Sequence, residues 1–384
     1  MKKVFRFALA CMMSASLLAG CSAKPQQASS VSSEKESEES GTVTIVDHAD
    51  RTVTVKKNPK KAAILSILPL PAMLTVYLNS AETIVAMEPA SMTAAENGIL
   101  SELFPEIRNV STDIMNGEDV NVEALLKLEP DVVFFNAGNK KEQEVLENAG
   151  LTAVGVSPTK WEYNCIETYN QWMDLLNQIY PAQNFSGKQD LINKYAADRL
   201  AEITEKTKDV REKQKVLFLF QYDDKTMITS SAKFFGQWWC DAVGAENVAH
   251  DVPAENSNAK ISMEQVYTWN PDVIIITNFT KTGPDDLYNN KIGSDDWSGI
   301  RAVQDKRVYK MPLGTYRTYT PGVDTPMTLE WLAQAVYPDL FKDYDIRSDV
   351  KDYYKELYDV TLSDEQVDKM YTPNTAAGDI GKIK

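Results

Sequence analysis

One unit occurs twice in this chain, and it restricts the fold more than any other feature. Residues 121–135 read NVEALLKLEPDVVFF, and residues 262–277 read SMEQVYTWNPDVIIIT. Each opens on a residue that caps helix N-termini, Asn121 or Ser262. Each continues for about two helical turns with one apolar face. Each stops at Pro-Asp, because proline lacks a donor and restrains the residue before it. Each then enters an unbroken apolar stretch of strand length, as strands buried on both faces do. The step from glutamate to aspartate is the same in both, Glu123 to Asp131 and Glu264 to Asp272. A helix–turn–strand unit repeated about 140 residues on predicts two similar α/β lobes.

Other elements fall around these units. Val43–Val46 and Thr52–Val55 flank the polar turn Asp47–Arg51 and predict a hairpin. Ala62–Ser66, Thr83–Met87 and Thr152–Val156 predict further strands of the first lobe, with Pro71 placed to open a helix. In the second lobe the strands are expected at Lys215–Phe220, Met227–Ser231, Asp272–Thr277 and Arg307–Tyr309, with a helix over 234–243. Strands alternating with helical patterns indicate parallel sheets. Between the lobes, residues 187–213 predict one long polar helix with apolar positions at Leu191, Ile192, Tyr195, Leu200 and Ile203. Beyond about 345 the chain is expected to be helical and polar, with a loose tail from Thr372.

The amino terminus carries Lys2, Lys3 and Arg6, then an apolar run too short to span a bilayer. That run ends Leu18-Ala19-Gly20-Cys21, which resembles the bacterial lipobox and marks Cys21 for lipidation. The serine- and glutamate-rich residues that follow have almost nothing to bury and predict a flexible tether. The formal net charge is −15, and without the basic leader the rest carries −18. Such an acidic body argues against nucleic acid. Two cysteines, Cys165 and Cys240, remain in the body, free and buried or paired. No zinc-protease, hydrolase, P-loop or dinucleotide motif is present, and there are only two histidines, so an enzyme is not expected.

Taken in order, the phrases VDHADRTVTV, VNVEALLKLEPDVVFF, GAENVA, ISMEQVYTWNPDVIII and GIRAVQDKRVYKMP resemble the substrate-binding proteins of ABC importers for iron-siderophores, haem and cobalamin. The resemblance implies an α/β fold of two Rossmann-like lobes joined by one rigid helix, with the ligand in the cleft between them. It implies a signal peptide over 1–20, a lipidated tether over 21–42, an N-terminal lobe over 43–183, a backbone helix over 184–213, a C-terminal lobe over 214–344 and a C-terminal segment over 345–384. It also implies that Glu123 and Glu264, one per lobe, engage an ABC permease dimer with its ATPase. The helix-end alternative, in which each glutamate only complements its own helix, explains either residue alone but not both. The protein is expected to be a lipid-anchored monomer on the outer face of the cell membrane, touching the membrane through the anchor alone.

Ligands of open α/β sheets bind beyond the carboxyl ends of the strands. That rule selects Ser66, Met115, Asn116 and Asn136 in the first lobe, and Thr229, Ser230, Ser231, Lys260 and Asn278 in the second. Arg317 between Tyr316 and Tyr319 suits a carboxylate, catecholate or oxyanion. Trp238 beside Trp239 is a candidate cleft residue, since neighbouring helical positions cannot both face a core. His250 with Met115 would make an axial haem pair. No tryptophan precedes either docking glutamate, unlike in cobalamin binders, and no tyrosine stands in the stretch where many haem binders carry one. A ferric siderophore is therefore the first expectation, with no resident cofactor or metal and an iron chelate as ligand. Haem, cobalamin, and molybdate or tungstate at Thr229–Ser231 are the alternatives, as is a chelate-binding lipoprotein without a transport role.

Overall fold

The computed structural model describes residues 41–380 apart from 118 and 184. The leader, Cys21 and nearly all of the tether lie outside these residues. The described chain opens with an antiparallel hairpin, β1 (Thr42–Val46) and β2 (Thr52–Lys56). Its turn is held by Asp47, which accepts from the backbone amides of Ala49 and Arg51 at 3.0 Å each and from the Arg51 guanidinium.

The first lobe follows: β3 (Ala62–Ile64), α1 (Leu70–Leu78), β4 (Ile84–Met87), α2 (Pro89–Asn97) and the single turn α3 (Leu100–Leu103). A short hairpin, β5 (Met115–Asn116) and β6 (Asp119–Val120), leads to α4 (Val122–Lys127), β7 (Val132–Asn136), α5 (Lys140–Asn148) and β8 (Ala153–Val156). The sheet order is β4-β3-β7-β8, with every pair parallel. Then come α6 (Cys165–Ile179) and the long α7 (Ser186–Thr207). The second lobe comprises β9 (Lys215–Tyr222), β10 (Met227–Thr229), α8 (Phe235–Val243), β11 (Glu246–Asn247), α9 (Met263–Trp269), β12 (Val273–Ile276), α10 (Pro284–Tyr288), α11 (Arg301–Gln304) and β13 (Val308–Lys310). Its order is β10-β9-β12-β13, with β11 also on β9 and only β10 antiparallel. Three helices close the chain: α12 (Thr325–Val336), α13 (Ile346–Tyr358) and α14 (Asp364–Tyr371).

Alternation along the strands builds three cores. Val132 and Phe134 of β7, Val216, Phe218 and Phe220 of β9, and Val273 and Ile275 of β12 join one core that runs through α6, α7, α12 and α13. Their neighbours point the other way. Val133 and Phe135 pack with Leu125 on the outer face of the first sheet. Leu217, Leu219, Ile274 and Ile276 pack with Val266 on the outer face of the second.

The repeated unit does the same work in both lobes. Asp131 accepts from the amides of Lys60 and Lys61, at 2.8 and 3.1 Å, where β3 begins. Asp272 accepts from the amide of Lys215, at 2.9 Å, where β9 begins. Each aspartate thus ties the entry of its own strand to the entry of the neighbouring one.

Two expectations need correction. The bridging helix stops at Thr207 rather than 213, because 208–213 offer only Val210 as an apolar contact, and Leu191 stands exposed. The C-terminal tail is not loose as far as residue 380. Tyr353, Tyr354 and Leu357 of α13 are fully buried, worth roughly 1.5–3 kcal/mol each in transfer from water. Past Thr372, Gly378 lies so close to the Thr280 carbonyl that a Cβ there would meet it at 2.1 Å. Cys165 and Cys240 are both free and buried.

Candidate ligand cleft and docking face

The carboxyl ends of the first sheet place four side chains in a row. Ser66, just past β3, takes a left-handed φ of 43°. That turn aims its amide at Glu88 Oε1, 2.7 Å away, and its hydroxyl at the Glu142 carboxylate. Glu88 follows β4, and Glu142 stands in the first turn of α5, where Asn139 caps its amide at 3.1 Å. Asn136, at the end of β7, accepts from Gly138 at 3.0 Å. Desolvation raises the pKa of both glutamates, and the charge of Glu88 adds to the rise at Glu142. Neither glutamate was selected from the sequence. Glu142 reads there as a helix first-turn residue after Asn139, and Glu88 as an acid before proline.

The second lobe departs from expectation. Thr229, Ser230 and Ser231 are wholly buried. The Thr229 and Ser231 hydroxyls donate to Phe218 and Ala254 carbonyls at 2.7 Å each. The amide of Gly236, at the start of α8, is already bonded to Ser230 Oγ at 2.9 Å and Tyr319 Oη at 3.0 Å. The protein itself therefore fills the oxyanion cradle expected there. Arg317 is 1% exposed. Its guanidinium donates to the carbonyls of Asn278 (2.9 Å), Ala377 (3.1 and 2.7 Å) and Ala90 (3.0 Å), and to Tyr316 Oη (2.9 Å). It clips the first lobe, the second lobe and the C-terminal segment together. Asn278 is buried and donates to Met311 and Pro312 carbonyls at 2.8 and 2.9 Å. Lys260 is exposed, Met115 is half-buried against the outer core of the first lobe, and Asn116 is exposed. His250 shares a hydrogen bond with Gln237 at 3.0 Å on the second lobe, and no contact joins it to Met115 among the described residues.

A groove runs between the lobes at Tyr163. Tyr163, in the loop before α6, stacks edge-on against Phe234 at 5.9 Å and Phe235 at 5.3 Å, and bonds the Asn256 side chain. On one side of it lies a recess of about 510 Å³ lined by Asn136, Asn139, Thr159, Phe234 and Asn256. On the other lies a recess of about 700 Å³ lined by Trp161, Glu162, Lys233, Trp238 and Glu255. Of the residues read from the sequence, Asn136 and Trp238 meet this groove, and Ser66 stands beside it through Glu142 and Asn136. Trp239 is core instead, its indole nitrogen donating to the Tyr319 carbonyl at 2.9 Å. A further recess of about 700 Å³ belongs to the second lobe and C-terminal segment alone, so it does not suit a ligand held between lobes.

Glu123 and Glu264 occupy the same position of the same helical turn in the two lobes, and both are exposed. Lys127 pairs with Glu123 at 2.8 Å; no ion pair reaches Glu264 among the described residues.

The sequence model for periplasmic binding proteins matches residues 79–313. The chain belongs to the periplasmic binding protein family. Its relatives include an uncharacterised ABC transporter substrate-binding lipoprotein of Bacillus subtilis, 26% identical over 349 residues, covering 89% of this chain and 100% of the relative. The molybdate-binding protein of Haemophilus influenzae is 27% identical over 345 residues, covering 82% and 90%. A periplasmic solute binding protein from Veillonella parvula superposes with a TM-score of 0.73 at 30% identity, covering 86% of this chain and 97% of its own. This binding protein is the substrate-binding component of an ABC importer acting outside the cytoplasm, and it is not an enzyme.

Proposed function

We propose that this binding protein captures a metal chelate of neutral or positive charge in the groove at Tyr163 and delivers it to an ABC permease. The observation that carries the reading is a pair of largely buried carboxylates bordering the groove, Glu142 being bonded to the Asn136 backbone at the inner recess and Glu88 lying beside it. Glu88 and Glu142 stand at the strand ends of the first lobe, while the cleft arginine expected from the sequence is fully engaged by protein acceptors. The inner recess adds only neutral polar and aromatic groups, and Lys233 at its outer neighbour is paired with Glu255 at 2.5 Å. An oxyanion needs donors or a cation aimed at it. Carboxylates taken out of water gain most from a ligand that brings positive charge or donor groups to them. Ferric hydroxamates and corrinoids meet this description. Molybdate, the ligand in the name of the Haemophilus relative, and ferric triscatecholates do not.

Delivery follows the resemblance: Cys21 carries the lipid anchor, and Glu123 and Glu264 meet basic residues on the two permease halves. The test of the ligand class is calorimetric titration with ferric hydroxamates, aquocobalamin, haem, ferric catecholates, molybdate and tungstate. Saturable binding is expected from a neutral or cationic chelate, weakened at least tenfold in Glu142→Lys. Tight molybdate binding would overturn the reading.

A further inference from the structure

Among the described residues, five large hydrophobic side chains stand exposed: Val46, Leu126, Leu191, Tyr267 and Leu340. Two of them hold the same place in the repeated unit. Leu126 lies three residues after Glu123, and Tyr267 three residues after Glu264. Their exposures match, at 45% and 46%. Residues three apart on a helix are surface neighbours. Each lobe therefore presents an exposed carboxylate beside an exposed apolar side chain, on a helix whose buried face, Leu125 or Val266, seats it on the outer core.

Nothing in the fold calls for Leu126 to be where it is, and Tyr267 has a single tie, made by its hydroxyl and not by its ring. The unit needs one buried residue per helix, and Leu125 and Val266 supply it. The Tyr267 hydroxyl donates to the Asp296 carbonyl at 2.6 Å, while the side chain stays 46% exposed. A lone exposed leucine needs no explanation. A repeat of the same exposed pair on two lobes whose sequences otherwise differ does.

We propose that Leu126 and Tyr267 are the apolar anchors of the permease contact, each entering a socket on one permease half beside the cation that takes the neighbouring glutamate. The proposal rests on the docking reading given above and extends it: the carboxylates steer and set register, while the apolar pair supplies a salt-independent share of the affinity. The occupant is one partner with two related halves, because the two patches share a charge sign, a spacing and a chemistry. The sockets differ in width, since one receives a branched aliphatic group and the other a ring.

The experiment uses the full lipidated chain and its permease–ATPase complex in proteoliposomes, with association measured at low and high salt. Leu126→Ser and Tyr267→Ser are each expected to weaken association about tenfold at both salt concentrations, as removal of an interface anchor does. Glu123→Ala with Glu264→Ala is expected to weaken it mainly at low salt. Tyr267→Phe should keep most of the affinity. Both side chains are exposed, so unchanged thermal unfolding would exclude misfolding as the cause. If the serine variants bind like wild type while the glutamate variant does not, the apolar anchors are wrong and the docking face stands. If the glutamate variant binds normally at low salt, the docking face itself is wrong.

Discussion

His48 joins the first hairpin to the lobe behind it. Its ring meets Trp161 edge-on at 4.8 Å, and its Nδ1 accepts from the Ser157 amide at 3.2 Å. A proton on Nδ1 would break that bond. Burial, and then the charge of Lys160, draw the pKa down to about 4 from the usual 6.5. Between those values the unfolded chain binds the proton more readily, so stability rises with pH. The contribution is complete above the unfolded value and is lost as pH falls through 6.5 towards 4, by an amount on the order of 3 kcal/mol. His48→Gln should therefore flatten the dependence of the unfolding temperature on pH between about 7 and 4.5; an unchanged slope would show that other groups set it. The same residue scale shows what a sequence withholds. Arg317 between two tyrosines was visible, and so was its taste for oxygen. Besides the adjacent Tyr316 hydroxyl, its acceptors are three backbone carbonyls from distant segments, and a carbonyl has no letter in the sequence.

At the scale of elements, the repeated unit was legible because its parts are local. An N-cap, an apolar turn, Pro-Asp and an apolar strand each leave a mark in adjacent residues, and their use is the same in both lobes. The helices of the C-terminal segment were legible but their burial was not, because α13 buries a face of tyrosines among charged neighbours. Its last stretch is ordered by Arg317 and by the close approach of Gly378 to Thr280, neither of which shows periodicity. A direct consequence follows for Arg317→Ala. It would leave the Ala377, Asn278 and Ala90 carbonyls without their shared donor in a buried place, at a cost of about 3 kcal/mol. The segment from Thr372 should then become the first site of limited proteolysis, with wild type resistant there. Arg317→Lys should rescue only in part, since an ammonium cannot reach the same set in one plane. Resistance in the alanine variant would mean that packing alone holds the segment.

For the whole molecule, the continuous core decides how far the lobes can move. Strand residues of both sheets enter one cluster through α6, α7, α12 and α13, so opening the groove widely would expose that cluster. Buried Glu330 of α12 pairs with Arg199 of α7, fixing the bridging helix to the closing one. On the other side Arg317 reaches Ala90, and the Ile99 amide donates to the Gly314 carbonyl at 3.1 Å. A side chain at Gly98 could not be fitted there, since its Cβ would stand 2.4 Å from that carbonyl. Packed interfaces of this kind shift by small steps rather than bending freely. The two proposed docking faces should therefore keep a nearly constant separation, with or without cargo. Spin labels at Lys127→Cys and Thr268→Cys, equivalent exposed positions beside the two glutamates, would report it, because Cys165 and Cys240 are buried. The distance should change by no more than about 2 Å, the scale on which packed helices slide, when a bound chelate is added. A change many times larger would mean that the shared core separates, and that the permease meets two different docking surfaces in the empty and loaded states.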